Sequence, residues 1–262
     1  MNILEKIVAF KRQEVEGRKA CVSAKELEAL PGFSREVFSL RKFLTDPART
    51  GIIAEFKRRS PSKGVINDRV SVEAVTKGYA AAGASCLSVL TDEEFFGGTS
   101  DDLKAARVNS IPILRKDFMI DEYQIVEARA IGADVILLIA ACLSPAEVQR
   151  LAGFAGSLGL EVLLEIHSEE ELEHICDETP IVGVNNRDLK TFTVDIERSI
   201  RLSKRIPAGK LLVAESGIND TATILHMKNA GFQGFLVGEH FMKEGDPGAA
   251  FAAFVGELTG AR

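Results

Sequence analysis

Four times in this chain a helix-like stretch hands over to an apolar run through one phrase: Ala81-Ala82-Gly83-Ala84, Ala130-Ile131-Gly132-Ala133, Ser157-Leu158-Gly159-Leu160 and Asn229-Ala230-Gly231-Phe232. A glycine just past a helix end is the usual left-handed cap, and its recurrence marks the helix-to-strand returns of a βα repeat. Apolar runs that predict strands fall at 51–57, 86–90, 112–116, 134–139, 160–165, 181–185, 211–215 and 233–237. Helical patterns at 71–82, 101–108, 121–131, 144–157, 168–176, 195–203, 219–230 and 247–258 alternate with them. Continuous Val/Ile/Leu runs are what parallel strands, buried on both faces, require. Eight of each without a compositional break favour an α/β fold, a single (β/α)8 TIM barrel, over an open doubly wound sheet. No GxGxxG follows the first run, which counts against a dinucleotide-binding domain.

Ahead of the first strand, residues 3–19 set Ile3, Leu4, Ile7, Val8 and Val15 among Lys, Arg and Glu, the spacing of an amphipathic helix. A weaker helical stretch covers 24–30, and a loop with Pro31-Gly32 and Phe38 to Phe43 leads on to Gly51. The expected division is therefore an N-terminal helical extension, 1–50, and a barrel, 51–262. The whole chain of 262 residues suits a barrel of about 250 residues.

Composition narrows the partners. A net charge of −6 argues against a nucleic-acid surface, and Lys57-Arg58-Arg59 is too short a basic stretch for a polymer. Cys21, Cys86, Cys142 and Cys176 are far apart, with neither metal-ligand nor disulfide-framework spacing. They read as reduced thiols of a cytoplasmic protein. The start lacks the apolar stretch of a signal peptide, and the apolar run Val135 to Leu143 is too short to span a bilayer.

Charges terminate the strands in a pattern. Ile52-Ile53-Ala54 runs into Glu55-Phe56-Lys57, Ile113-Leu114 into Arg115-Lys116, and Val162-Leu163-Leu164 into Glu165. Any one of these can simply mark where a strand leaves the core. An ionised group inside an apolar run is costly unless paired, however, and side-chain alternation puts Glu55 and Lys57 on one face. In a barrel the strand C-termini carry the active site, and the other polar ends are Ser60, Asn185 with Arg187, Glu215 with Ser216, and Gly238 with Glu239. Two glycine-bearing turns, Glu215-Ser216-Gly217-Ile218 and Val237-Gly238-Glu239, follow the seventh and eighth strands, the usual barrel phosphate site. Asn219-Asp220 can cap the helix beyond the first of them. Burial is expected to raise the Glu165 pKa and nearby Lys57 to lower it. His167 could line the mouth, His174 and His226 fall in helical stretches and are expected at the surface, and no histidine is assigned a catalytic role.

The long segment Ile53-Ala54-Glu55-Phe56-Lys57-Arg58-Arg59-Ser60-Pro61-Ser62-Lys63-Gly64 resembles the signature of indole-3-glycerol phosphate synthase. Leu114-Arg115-Lys116-Asp117-Phe118, Leu163-Leu164-Glu165-Ile166-His167, Val184-Asn185-Asn186-Arg187-Asp188-Leu189 and Ala214-Glu215-Ser216-Gly217-Ile218 resemble it too, in the family's order. Gly238-Glu239-His240 departs from the many members with a serine after that glycine, which bears on a side-chain contact to phosphate and not on the backbone N–H. The resemblance implies a carboxy-lyase of tryptophan biosynthesis. It closes the indole ring of 1-(2-carboxyphenylamino)-1-deoxyribulose 5-phosphate with loss of CO2 and water, and uses no metal or organic cofactor.

On the same footing Lys116 is the candidate acid for ring closure, with Glu165 and Lys57 as base and acid for dehydration. Glu55, Asn185, Arg187 and Glu215 fix these groups, while Ser60, Ser216, Gly217, Gly238 and the Glu239 backbone hold phosphate. Phe96, Phe118, Leu137 and Leu189 wall the aromatic ring, and the N-terminal helix and the Ser60 to Asn67 loop cover the mouth. The expected partner is this small phosphorylated substrate, with neither nucleic acid nor membrane, and the expected state is a monomer, weak self-association being the alternative. A related barrel such as phosphoribosylanthranilate isomerase would share the phosphate turns but gives no reason for two lysines beside two glutamates. A non-catalytic scaffold would tolerate apolar replacements at Lys57, Lys116 and Glu165.

Overall fold

In the computed structural model, which describes residues 3–188 and 191–260, the apolar runs become eight strands. They are β1 (Ile52–Phe56), β2 (Cys86–Leu90), β3 (Ile113–Lys116), β4 (Val135–Ile139), β5 (Glu161–Ile166), β6 (Ile181–Asn185), β7 (Leu211–Glu215) and β8 (Gly234–Val237). All pair in parallel in sequence order, and β8 pairs with β1 to close the barrel. The four return glycines Gly83, Gly132, Gly159 and Gly231 all have positive φ, the caps that the repeated phrase predicts.

Alternation along each strand makes two cores. Ile52, Ala54, Leu87, Val89, Ile113, Ile136, Val162, Val182 and Phe235 face outward and pack under the helices. Ile53, Cys86, Leu114, Val135, Leu137, Ile139, Leu163, Ile181, Leu211, Val213 and Leu236 fill the interior. Both sets are almost wholly removed from water, worth roughly 1.5–3 kcal/mol per large apolar side chain.

Two stretches differ from expectation. The loop before β1 contains a 3-10 turn, Pro31–Ser34, and a short helix, Leu40–Thr45. That helix drives Leu40 and Leu44 into the bottom of the interior core. Ser39 caps it by accepting from the Lys42 N–H and also donates to Glu161 at 2.7 Å. A cavity of about 630 Å³ lies beside it, lined by Glu161, Lys210 and Gln233 and by none of the predicted site residues. The expected helix at 168–176 is instead a 3-10 helix, Glu169–His174. Its side chains are held back against the barrel, because the Glu171 carboxylate accepts the His167 N–H and His174 Nε2 lies 2.8 Å from the Leu143 carbonyl. His174 is thus buried rather than on the surface, whereas His226 is exposed as expected.

The N-terminal helix, Ile3–Cys21, lies across the C-terminal end of the barrel. Its Lys11 is 1% exposed and sits 2.8 Å from Asp92 and 3.0 Å from Asp117, with Glu14 at 2.6 Å. Asp117 in turn meets the fully buried Arg115, which also bonds Thr91, the Gln124 carbonyl and Glu127. Charges this deep hold only as a complete set, since removing one partner typically costs about 3–5 kcal/mol.

Candidate active site

Register places the charged strand ends at one level: Glu55 lies beside Ser88, Ile139 beside Glu165, and Asn185 beside Glu215. In barrels of this kind an interior layer takes its four side chains from alternate strands. Here the top layer comes from the odd strands, as Glu55 (β1), Lys116 (β3), Glu165 (β5) and Glu215 (β7), each two residues beyond an inward apolar residue: Ile53, Leu114, Leu163 and Val213. The even strands leave room for it. A Cβ added at Gly183 on β6 would come within 2.1 Å of Glu215 Oε1, and one at Gly238 just past β8 within 2.7 Å of Glu55 Oε1.

Within the layer the charges pair. Lys57 Nζ is 2.8 Å from Glu55 Oε1, and Ser88 Oγ donates to the other Glu55 oxygen at 3.3 Å. Lys116 Nζ stands 3.6 Å from Glu165 Oε2, while Asn185 Nδ2 donates to Glu165 Oε1 at 2.9 Å. Burial opposes the charge on Lys116, yet Glu165, Glu215 and Glu55 around it hold its pKa above the usual lysine range. Burial also opposes the charge on Glu165, but Lys116 and His167 bring its pKa well below the usual carboxylate range. The direction is therefore opposite to burial, and the cations responsible are Lys116 and His167 rather than Lys57. Glu215 goes the other way: burial and the neighbouring Glu165 push it up to about 8. Its Oε1 has no hydrogen-bond partner among the described residues.

These groups open into a cavity of about 1490 Å³ at the C-terminal mouth. Lys57, Lys116, Glu165, Glu55, Asn185, Glu215, Ser60, Arg187, Ser216, Gly217, Gly238, Glu239, Phe96 and Phe118 all line it. Phe96 and Phe118 face one another with ring centroids 6.0 Å apart. Leu137 does not line it: the residue lies one interior layer lower, and Ile139, two residues on, reaches the cavity. Leu189 is outside the described residues. Ile3, Leu4 and Ile7 of the N-terminal helix and Ser60 to Lys63 border the mouth, where a cover was expected.

At the turn after β7, Ser216 and Gly217 are both left-handed, at φ 68° and 71°. A non-glycine residue held there costs on the order of 1–3 kcal/mol and persists only where the surroundings impose it. Asp220 caps the next helix by accepting from the Thr223 N–H, as anticipated. The Glu239 carboxylate extends to Lys63 Nζ at 3.5 Å and Arg187 at 3.9 Å, where two cations offset its charge. Lys63 is a cavity residue that the motif contained and the site assignment passed over.

His167 is another such residue. It follows Glu165 by two positions, just past the end of β5, with Nε2 2.9 Å from Glu165 Oε1 and Nδ1 3.4 Å from Glu171 Oε2. A lone histidine has no spacing to announce it, and only its i+2 relation to Glu165 could have.

A family profile described as indole-3-glycerol phosphate synthase matches residues 4–254. The chain belongs to the indole-3-glycerol phosphate synthase family. An indole-3-glycerol phosphate synthase of Bacteroides thetaiotaomicron is 48% identical over 255 residues, covering 97% of this chain and 98% of the relative. One of Azoarcus sp. is 46% identical, covering 97% and 99%, and one of Polaromonas sp. is 44% identical, covering 97% and 98%. Among solved structures, the tryptophan synthase α2β2 complex of Pyrococcus furiosus contains a chain that superposes with a TM-score of 0.61 at 17% identity, covering 81% of this chain and 99% of that one. That likeness is one of fold. No helix among the described residues is long and apolar enough to cross a membrane.

Proposed function

We propose that the mouth of the barrel performs the indole-3-glycerol phosphate synthase reaction with the odd-strand layer as its acid–base set. The carrying observation is that Lys57 with Glu55, and Lys116 with Glu165, converge on one cavity that also holds the Ser216-Gly217 and Gly238-Glu239 turns. The substrate 1-(2-carboxyphenylamino)-1-deoxyribulose 5-phosphate brings an anionic ring, a ketone and a phosphate, and the cavity has a counterpart for each.

Phosphate sits against the backbone of Gly217, Gly238 and Glu239, with Ser60 and Ser216 beside it and Lys63 and Arg187 supplying positive charge. The aromatic ring lies between Phe96 and Phe118, and its carboxylate meets Lys57. Lys116, which the Glu165 carboxylate beside it keeps protonated, gives its proton to the ketone oxygen as the ring carbon bearing the carboxylate attacks. The C–C bond to the carboxylate then breaks, CO2 leaves, and aromaticity returns. Glu165 removes the proton from the adjacent carbon while Lys57 protonates the departing hydroxyl, which releases water and completes the indole. General acid–base groups of this kind contribute typically about 10²–10⁴-fold each. Binding at the phosphate, remote from the reacting carbons, orients them.

Asn185 and Glu55 hold Glu165 and Lys57 in place, and Glu215 completes the layer. Residues 1–50 act as an extension of the barrel, 51–262: its first helix borders the mouth, while Leu40 and Leu44 close the floor. The four unpaired cysteines fit a reducing, cytoplasmic compartment, and the site needs no second subunit to be complete, so a monomer suffices. The test is direct: the purified protein, given the carboxyphenylamino-deoxyribulose phosphate, should produce indole absorbance together with one equivalent of CO2. Absence of both would overturn the reading.

A further inference from the structure

Glu165 is held asymmetrically. Oε1 accepts the Asn185 N–H at 2.9 Å and lies 2.9 Å from His167 Nε2, an ion-pair contact without hydrogen-bond alignment. Oε2 has no hydrogen-bond partner among the described residues and faces Lys116 at 3.6 Å. One oxygen is anchored and the other is presented to the cavity.

The anchor is itself anchored. Glu171 Oε2 accepts the His167 backbone N–H at 2.6 Å and lies 3.4 Å from its Nδ1. The imidazole thus stands between two carboxylates, Glu165 toward the cavity and Glu171 toward the rim, and side-chain exposure rises outward through 5%, 8% and 16%. An imidazole between two carboxylates is favoured as the cation. Beyond this pair, the titratable groups facing Glu165 and His167 are Lys116 from β3, Glu215 from β7 and Cys142 from the turn after β4.

The arrangement matters because of what happens to Lys116. On the acid–base roles assigned above, on which this inference rests, Lys116 loses its proton during ring closure and becomes a neutral amine. Glu165 must remain ionised until the later dehydration, in a buried place beside Glu215. Were Lys116 its only cationic neighbour, Glu165 would lose that support before its own step.

We infer that His167 is a positioning residue for Glu165, a second cation, fixed by Glu171, that keeps the carboxylate ionised and aims Oε2 at the substrate after Lys116 has spent its proton. Burial opposes a charged ring, but Glu165 and Glu171 raise the His167 pKa to about 10, in keeping with that role. His167 transfers no proton in this scheme, and no bond to it forms or breaks.

Two measurements test it. Nitrogen-15 NMR of the histidine-labelled protein, without substrate, should show both His167 ring nitrogens protonated at about pH 8, where an ordinary histidine is neutral. In Glu171→Gln the same titration should move down by about one unit or more. In steady-state kinetics, His167→Gln keeps an N–H donor and loses the charge. It should lower kcat about tenfold or more with KM nearly unchanged, and move the acid limb of the kcat–pH profile upward by about one unit or more. A general loss of structure would instead scale kcat equally at every pH. A neutral ring at about pH 8, or an acid limb that does not move, overturns the proposal. The NMR titration needs no substrate, so it stands apart from the reaction; failure of the unmodified enzyme to form indole would overturn the functional reading instead.

Discussion

Lys116 and Glu165 face one another across the mouth of the barrel, Nζ to Oε2 3.6 Å, too far for a tight ion pair and close enough that each fixes the other's charge. Such a pair is stable at rest and able to part when substrate enters. Lys116→Ala should therefore lower kcat by several orders of magnitude, about 10²–10⁴-fold, with little change in KM, the pattern of a contact made mainly in the transition state. Indole absorbance under steady-state conditions measures both, and a near-normal kcat would remove Lys116 as the acid.

Glu165 is assigned to a later step, and Glu165→Gln separates the two. The variant should bind substrate and release CO2 in a single turnover, then stall before indole appears. Quenched-flow detection of CO2 alongside indole absorbance gives the order. Loss of both signals together would mean that Glu165 acts earlier, by positioning the lysines.

Glu215 predicts a pH dependence of stability. Burial and Glu165 raise its folded pKa to about 8, while an unfolded glutamate titrates near about 4.3. Between those values the folded state holds the extra proton, so stability falls as pH rises through this window and levels off above it. Glu215→Gln removes that loss. Urea unfolding should find the variant more stable than the parent at about pH 9, by on the order of a few kcal/mol, and no more stable at about pH 4.

Gly183 is where the layer makes room. Gly183→Ala would set a methyl group within 2.1 Å of Glu215 Oε1, so the carboxylate must swing away. Overpacking of this kind typically costs about 1–3 kcal/mol. The protein should still fold, with thermal unfolding at a lower temperature, and kcat should drop about tenfold or more as the layer is disturbed. A variant with unchanged kcat would show that Glu215 is not needed where it stands.

Soaked sulfate provides a structural check on the phosphate turns. The anion should bind between Gly217 and Gly238, with backbone N–H groups directed at it, and Lys63→Ala should weaken it by about tenfold or less, as for a partly exposed charge contact. Density elsewhere, with these amides turned away, would remove the assignment.

How much of this could be read from the residues follows from burial. A strand packed on both faces must be apolar throughout, so all eight stood out, and Glu55, Lys116 and Glu165 stood out as charges inside or ending such runs. Leu40–Thr45 did not: Leu40 and Leu44 plug the barrel floor, but two leucines in six residues make no visible period. Lys11 looked like one more cation on a solvated helix face, and only the fold brings Asp92 and Asp117 to it. Leu137 and Ile139 share the interior face of β4, and only the rise along the strand, which carries Ile139 two residues nearer the mouth, separates the cavity residue from the one beneath it. The glutamate-rich stretch after His167 read as a regular helix because its pattern cannot show that Glu171 is turned back onto the preceding strand.

The Lys11 contact to Asp92 and Asp117 sets an order on biosynthesis. The N-terminal helix leaves the ribosome long before its partners, and Asp117 follows about a hundred residues later. At roughly 5–20 residues per second, the helix waits on the order of 5–20 s for the carboxylates that its lysine needs. Through that interval it can be no more than a loosely held amphipathic segment, and it docks only after the third strand has been made.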